Sequence, residues 1–188
     1  MSMDKAKEYA EGRVTEALSQ VVANAYMAGY NAGYQDGANR AVKDSVTKET
    51  EYVDLGLPSG TLWASDYIKD GDDVLFLPYP EALQYNIPTE NQVDELREYC
   101  EISIKYDDDD NCVHIVLGSN GNSIVLKGHG YKVLTELKDV KTAYFWQVYD
   151  DEDPKSVYVP YLNGPNINAQ YLFPGYKVPI WMVKNKKQ

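Results

Sequence analysis

The 188-residue sequence predicts an α+β domain of short strands and one main helix, preceded by a separate N-terminal helix. Three observations predict it. Residues 3–43 carry a helical period without strand alternation. Residues 89–101 carry a second helical pattern that begins on a capping signal. The rest is short alternating runs broken by Gly, Pro and Asp-rich turns, which is strand punctuation.

In residues 3–43, Val14, Leu18, Val21, Ala25, Ala28 and Ala32 recur at spacings of four and three, a heptad-like seam that shrinks toward small side chains. Ala25, Gly29, Gly33 and Gly37 then recur every four residues, with Tyr26, Tyr30 and Tyr34 beside them. Each helical glycine costs about 1 kcal/mol relative to alanine, so the three together need compensation. Close approach of another backbone between flanking tyrosines would supply it, which makes 1–43 a candidate self-association or docking segment. The competing reading is that the glycines break the helix and form a flexible tether. Residues 44–51 are polar and without period, as a linker is.

The domain expected over 52–188 opens with Tyr52–Ala64. Val53 and Leu55 alternate with polar or small residues, Leu57–Gly60 is turn chemistry, and Thr61–Trp63 reads as a returning strand with Trp63 buried. Asp70–Asp73 is a turn and Val74–Leu77 a strand, and Pro78, Pro80 and Pro88 mark irregular chain. Thr89 is an N-cap with Gln92 as its capping-box partner, and Val93, Leu96 and Cys100 line one face of the helix. Strands follow at Ile102–Tyr106, Val113–Leu117, Ile124–Leu126, Ala143–Val148, Ser156–Tyr161, Ala169–Leu172 and Lys177–Val183.

Several of these segments, in this order, resemble those of the Fibrobacter succinogenes major paralogous domain family of gut Bacteroidetes and their phages. Tyr52–Ala64 resembles its opening motif. Ile87–Thr89 with the helix to Cys100 resembles its next segment. Asn120–Leu126 with Gly130 and Tyr131 resembles a third. Tyr144–Trp146 and Gly175–Val178 resemble the start of a fourth segment and the closing strand. Gln147 and Val148, and Pro179 and Ile180, depart from the family pattern. The resemblance implies a C-type lectin-like fold. It also implies a surface of variable residues in the C-terminal third.

Charge narrows the function. The net charge is −11, with six Lys/Arg against seven Asp/Glu in residues 1–50 and twelve against twenty-two in residues 51–188. So acidic a domain repels phosphate backbones and anionic lipid, so nucleic-acid binding is not expected. No apolar run approaches the ~20 residues of a spanning helix, so no membrane insertion is expected. No apolar region follows Lys5 and Lys7, so no export signal is expected. Cys100 and Cys112 are then expected as reduced structural thiols, the alternative being a disulfide.

The runs Asp107–Asp110 and Asp150–Asp153 read as solvated turns rather than calcium loops, because consecutive aspartates point in alternating directions. No metal, cofactor or catalytic residue is assigned. His114 is expected to face outward from its strand, and His129 to lie in an exposed loop between glycines. A Tyr/Asn surface is the candidate ligand site: Trp146, Tyr149, Tyr158, Tyr161, Asn163, Asn166, Asn168 and Tyr171. Tyrosine is also simply common in strands, which is the competing explanation.

The expectation is a non-enzymatic, virion-associated structural or adsorption protein. Its helix would assemble into a homo-oligomer or dock on other virion proteins, and its domain would decorate the particle or bind a host surface glycan or protein. It would be made in the host cytoplasm and found in the virion. The alternative is a soluble, cytoplasmic bacterial carbohydrate- or protein-binding module.

Overall fold

A computed structural model describes residues 50–107, 112–150 and 155–185. The chain divides between Lys48 and Glu49, and the second unit, Glu49–Gln188, contains every described residue. The seam Val14, Leu18, Val21 and Ala25, the glycines 29, 33 and 37, and Tyr26, Tyr30 and Tyr34 lie outside the described residues. So do most of the linker and most of both aspartate runs.

The described domain is mostly strand, gathered in small sheets whose pairings are all antiparallel. The opening hairpin forms as the turn chemistry predicts. β1 (Tyr52–Asp54) pairs with β2 (Thr61–Ala64) so that Val53 faces Trp63, and the Gly60 N–H closes the turn on the Leu57 carbonyl at 2.9 Å. The last strand, β15 (Val183–Asn185), pairs with the other edge of β2, so the end of the domain returns to its beginning. Trp63, Trp181 and Phe145 are fully buried there, with ring centroids 4.5 to 6.4 Å apart. Large apolar rings excluded from water contribute most of such a core's stability.

β3 (Lys69–Asp70) and β4 (Asp73–Val74) form a two-residue hairpin over the predicted Asp70–Asp73 turn. β5 (Phe76–Leu77) pairs with β14 (Val178–Pro179). Between Pro78 and Pro88 the expected irregular chain contains one helical turn, α1 (Tyr79–Ala82). Pro80 is accommodated because the first turn of a helix has no use for its missing N–H. The main helix, α2 (Glu90–Tyr99), has the predicted capping box. The Gln92 N–H donates to Thr89 Oγ1 at 3.4 Å, and the Thr89 N–H donates to Gln92 Oε1 at 2.9 Å. Val93 and Leu96 are buried, and Cys100 caps the helix half-buried.

β6 (Glu101–Tyr106), β7 (Cys112–Leu117) and β8 (Ser123–Lys127) form a three-stranded sheet with β7 central. Its inward row corrects one expectation: His114 is fully buried, not outward. Cys112, His114 and Val116 alternate inward, and His114 lies between Ile104 and Leu126 in the cross-strand register. Alternation predicts two faces but not which is the core, and here the face with the histidine is the core. β9 (Tyr131–Val133) and β10 (Glu136–Lys138) form a hairpin that the sequence does not announce. β11 (Ala143–Tyr144), β12 (Val157–Leu162) and β13 (Ile167–Leu172) make the final sheet. The predicted strands at 143–148 and 177–183 are shorter or broken. Among the described residues, no helix is long and apolar enough to cross a membrane.

The segments that carry the family resemblance meet one another. Asn120 and Asn122 each donate a side-chain N–H to the Asp54 carbonyl at 2.8 Å. Ser59 donates its backbone N–H and its hydroxyl to the Glu95 carboxylate, and Gln92 Nε2 donates to Thr61 Oγ1 at 3.2 Å. These bonds tie the opening hairpin to the main helix and to the turn between β7 and β8.

Candidate functional site

The structure separates the eight residues of the expected Tyr/Asn surface. Trp146 is fully buried, and its indole N–H donates to the Leu77 carbonyl at 2.8 Å. A ring with both faces packed has none to offer a ligand, so Trp146 belongs to the core. Tyr149 is half-buried, and its backbone N–H donates to the Tyr79 hydroxyl at 2.8 Å, which ties it to α1. Burial pushes the Tyr79 phenol above its ordinary range.

The other six lie on the β12–β13 hairpin. Tyr158 and Tyr171 pair across the strands, with centroids 5.1 Å apart and Tyr171 63% exposed. Tyr161 pairs with Asn168. Tyr158 and Tyr161 are three residues apart on one strand, so these two pairs project from opposite faces of the sheet. Asn163 and Asn166 are exposed in the loop between the strands. The six residues form two separate surfaces and a tip, not one patch.

On the Tyr161 side the structure gathers rings that no local pattern connects. Tyr161 lies 5.1 Å from Tyr144, Tyr144 lies 5.1 Å from Tyr131, and Tyr131 stacks on Tyr176 at 5.9 Å. Tyr176 meets Phe173 edge-on at 5.9 Å, and Phe173 is 60% exposed. The row is anchored at Tyr144, whose hydroxyl accepts from Gln170 Nε2 at 2.8 Å and donates to Asp139 Oδ2 at 3.1 Å. Burial, with Asp139 nearby, pushes the Tyr144 phenol far above its ordinary range. Phe173 and Tyr131 were not among the expected site residues. Their contribution depends on four segments meeting in space, which spacing along the chain does not encode.

Apart from the row, a cleft of about 600 Å³ lies between the β3–β4 hairpin and the β8–β9 segment. His129, expected as an exposed loop residue, is half-buried in its lining, with its ring edge-on to Tyr67 at 5.8 Å. Burial pushes the His129 imidazole below its ordinary value. Asp66 opposes that shift, and Lys127 and Lys69 add to it.

Elsewhere, His114 Nε2 is 3.2 Å from the Lys141 carbonyl, to which it donates, and 3.5 Å from Cys112 Sγ. Its Nδ1 is buried without a hydrogen-bond partner. Cys100 and Cys112 are free thiols. Among the described residues, no three His, Cys, Asp or Glu side chains gather where they could hold a metal ion. No family model matches the chain, and comparison with curated proteins and with solved structures finds no match to either.

Proposed function

We propose that this chain is a non-enzymatic recognition protein whose β-rich domain holds its ligand on the aromatic row from Tyr161 to Phe173. The observation that carries the reading is the row itself: five rings in succession, of which Tyr144 is the buried anchor while Tyr161, Tyr131 and Tyr176 are half-buried and Phe173 is exposed, with Asn168 beside Tyr161. Rigid aromatic faces add contact area at little entropic cost, and they stack on the apolar faces of sugars. A glycan is therefore the ligand class favoured over a protein. Glycan-array screening of the full chain tests this. Saturable binding that Phe173→Ala and Tyr161→Ala each weaken about tenfold supports it. Absence of saturable glycan binding counts against it.

The narrower reading is a C-type lectin-like domain on a phage-associated structural or adsorption protein, with residues 1–43 as the assembly or docking helix. Its support is the ordered sequence resemblance, together with one main helix among short antiparallel strands. Mass spectrometry of purified particles tests the virion assignment. Glycan binding by a protein absent from every particle preparation favours the alternative, a soluble bacterial binding module.

A further inference from the structure

We propose that the cleft between the β3–β4 hairpin and the β8–β9 segment binds a small dipolar ligand, one carrying an ammonium group and a carboxylate at opposite ends of a short apolar body. This site is independent of the aromatic row. Tyr131 and Lys132 are successive residues of β9, so Tyr131 faces the row while Lys132 lines the cleft.

The two walls differ in sign. The first carries Asp66, Lys69, Asp72 and Asp73. Lys69 Nζ is bound to Asp66 Oδ2 at 2.9 Å, which leaves Asp72 and Asp73 to set the character of that wall as acidic. The second carries Lys127, His129 and Lys132 and no carboxylate. Lys127 is held by Asp107 Oδ2 at 3.0 Å. Lys132 instead stands over the Phe76 ring, 4.3 Å from its centroid, and no salt bridge to it occurs among the described residues. A lysine on an aromatic face keeps its donors available to an arriving anion. Val74, Phe76 and Val125 supply apolar lining, with Val125 51% exposed.

This combination selects a ligand by its charge separation. A simple anion would meet Lys132 but also the field of Asp72 and Asp73. A simple cation would meet the converse. A molecule with both ends satisfies both walls and places its body against Val74 and Val125, beside the Phe76 ring that Lys132 covers. The volume suits a small molecule, since ligand clefts run from about 300 to 1,000 Å³.

The test is a ligand-observed NMR titration of the full-length protein with 6-aminohexanoate, and with hexanoate and hexylamine as its two halves. The dipolar probe is expected to bind saturably, and each half at least about tenfold more weakly. Lys132→Gln and the double variant Asp72→Asn with Asp73→Asn are each expected to weaken the dipolar probe about tenfold, whereas Lys132→Arg retains binding. Lys105→Gln, on an exposed position of β6 outside the cleft, is expected to bind as the parent does. Near-ultraviolet circular dichroism matching the parent shows that the variants are folded. Absence of saturable binding overturns the proposal, as does a half-probe that binds as tightly as the whole, or parental affinity in either charge-removing cleft variant. A glycan-binding result at the aromatic row bears on neither outcome.

Discussion

The indole N–H of Trp181 donates to the Ala64 carbonyl at 2.8 Å, across 117 residues of sequence. The same strand end is bound a second time, because the Ala64 N–H donates to the Met182 carbonyl at 2.9 Å. The domain is thus closed where its first hairpin and its last segment exchange hydrogen bonds around buried rings. Trp63 lies 4.5 Å from Trp181 in the same core, yet its own indole N–H is buried without a partner.

That asymmetry gives the first prediction. Trp181→Phe removes both packing and a buried hydrogen bond, whereas Trp63→Phe removes packing and an unsatisfied donor. Loss of a buried hydrogen-bond partner costs about 1–3 kcal/mol, so Trp181→Phe is expected to be the more destabilising by that margin. Urea unfolding of the two variants measures the difference. Equal costs would mean that the Trp181 bond contributes nothing net.

Gly118 lies where β7 ends against the opening motif. A Cβ there would stand 2.2 Å from the Leu55 carbonyl oxygen, a backbone atom that cannot turn aside. Gly118→Ala is therefore expected to cost about 3 kcal/mol or more, through forced separation of the two segments. Gly121 is the control. Its φ is +87°, but nothing lies within 4 Å of a Cβ, so Gly121→Ala bears only the backbone strain of about 1–2 kcal/mol. Thermal unfolding that ranks Gly121→Ala at or above Gly118→Ala would refute this account of the contact.

What the sequence made legible was local. Thr89 and Gln92 announce a helix start because their side chains bond the backbone three residues away, and Leu57–Gly60 announces a turn because Pro58 presets its φ and Gly60 accepts a positive one, +70° here. Trp63 and the start of the β-rich domain followed from the hairpin around them. The missed features are those decided at long range. The β9–β10 hairpin turns at Leu134, which has φ +56° and is 87% exposed, a conformation and an exposure that nothing about leucine signals. His114 was expected to face outward, and Trp146 to belong to a ligand surface, because alternation has no sign until the neighbouring elements are in place. The aromatic row and the cleft each join several chain segments, so neither leaves a spacing to read.

The thiols give a third prediction. Burial pushes Cys100 up to about 11 and raises Cys112 as well, with Lys141 opposing the rise at Cys112. Only thiolate reacts with iodoacetamide, and its fraction falls about tenfold per unit of pKa. Cys100 is expected to be alkylated roughly a hundredfold more slowly in the native protein than a free cysteine at the same pH. Mass-resolved alkylation with and without urea checks this, and a native rate equal to the unfolded one would place the thiol at the surface.

The buried His114 gives a pH dependence. Its Nε2–H is committed to the Lys141 carbonyl, Cys112 Sγ lies beside it, and Ile104 and Leu126 flank it across the sheet. Protonating Nδ1 would place a charge among these groups with no acceptor, and burial holds the imidazole below its ordinary 6.5. As pH falls through 6.5 the unfolded chain binds this proton first, so the stability present above 6.5 declines until the lower folded value is passed. The decline is expected to reach at most about 1.4 kcal/mol per pH unit for one such group. His129, also held low by burial, acts in the same direction, so the two must be separated. Urea unfolding between pH 7.5 and 5, above the range of ordinary carboxylates at about 4, isolates the histidines. His114→Leu is expected to flatten the decline by one group's share in an otherwise unchanged background, and His129→Asn by its own smaller or equal share. A decline of unchanged slope in His114→Leu would show that the buried imidazole takes up its proton as readily folded as unfolded.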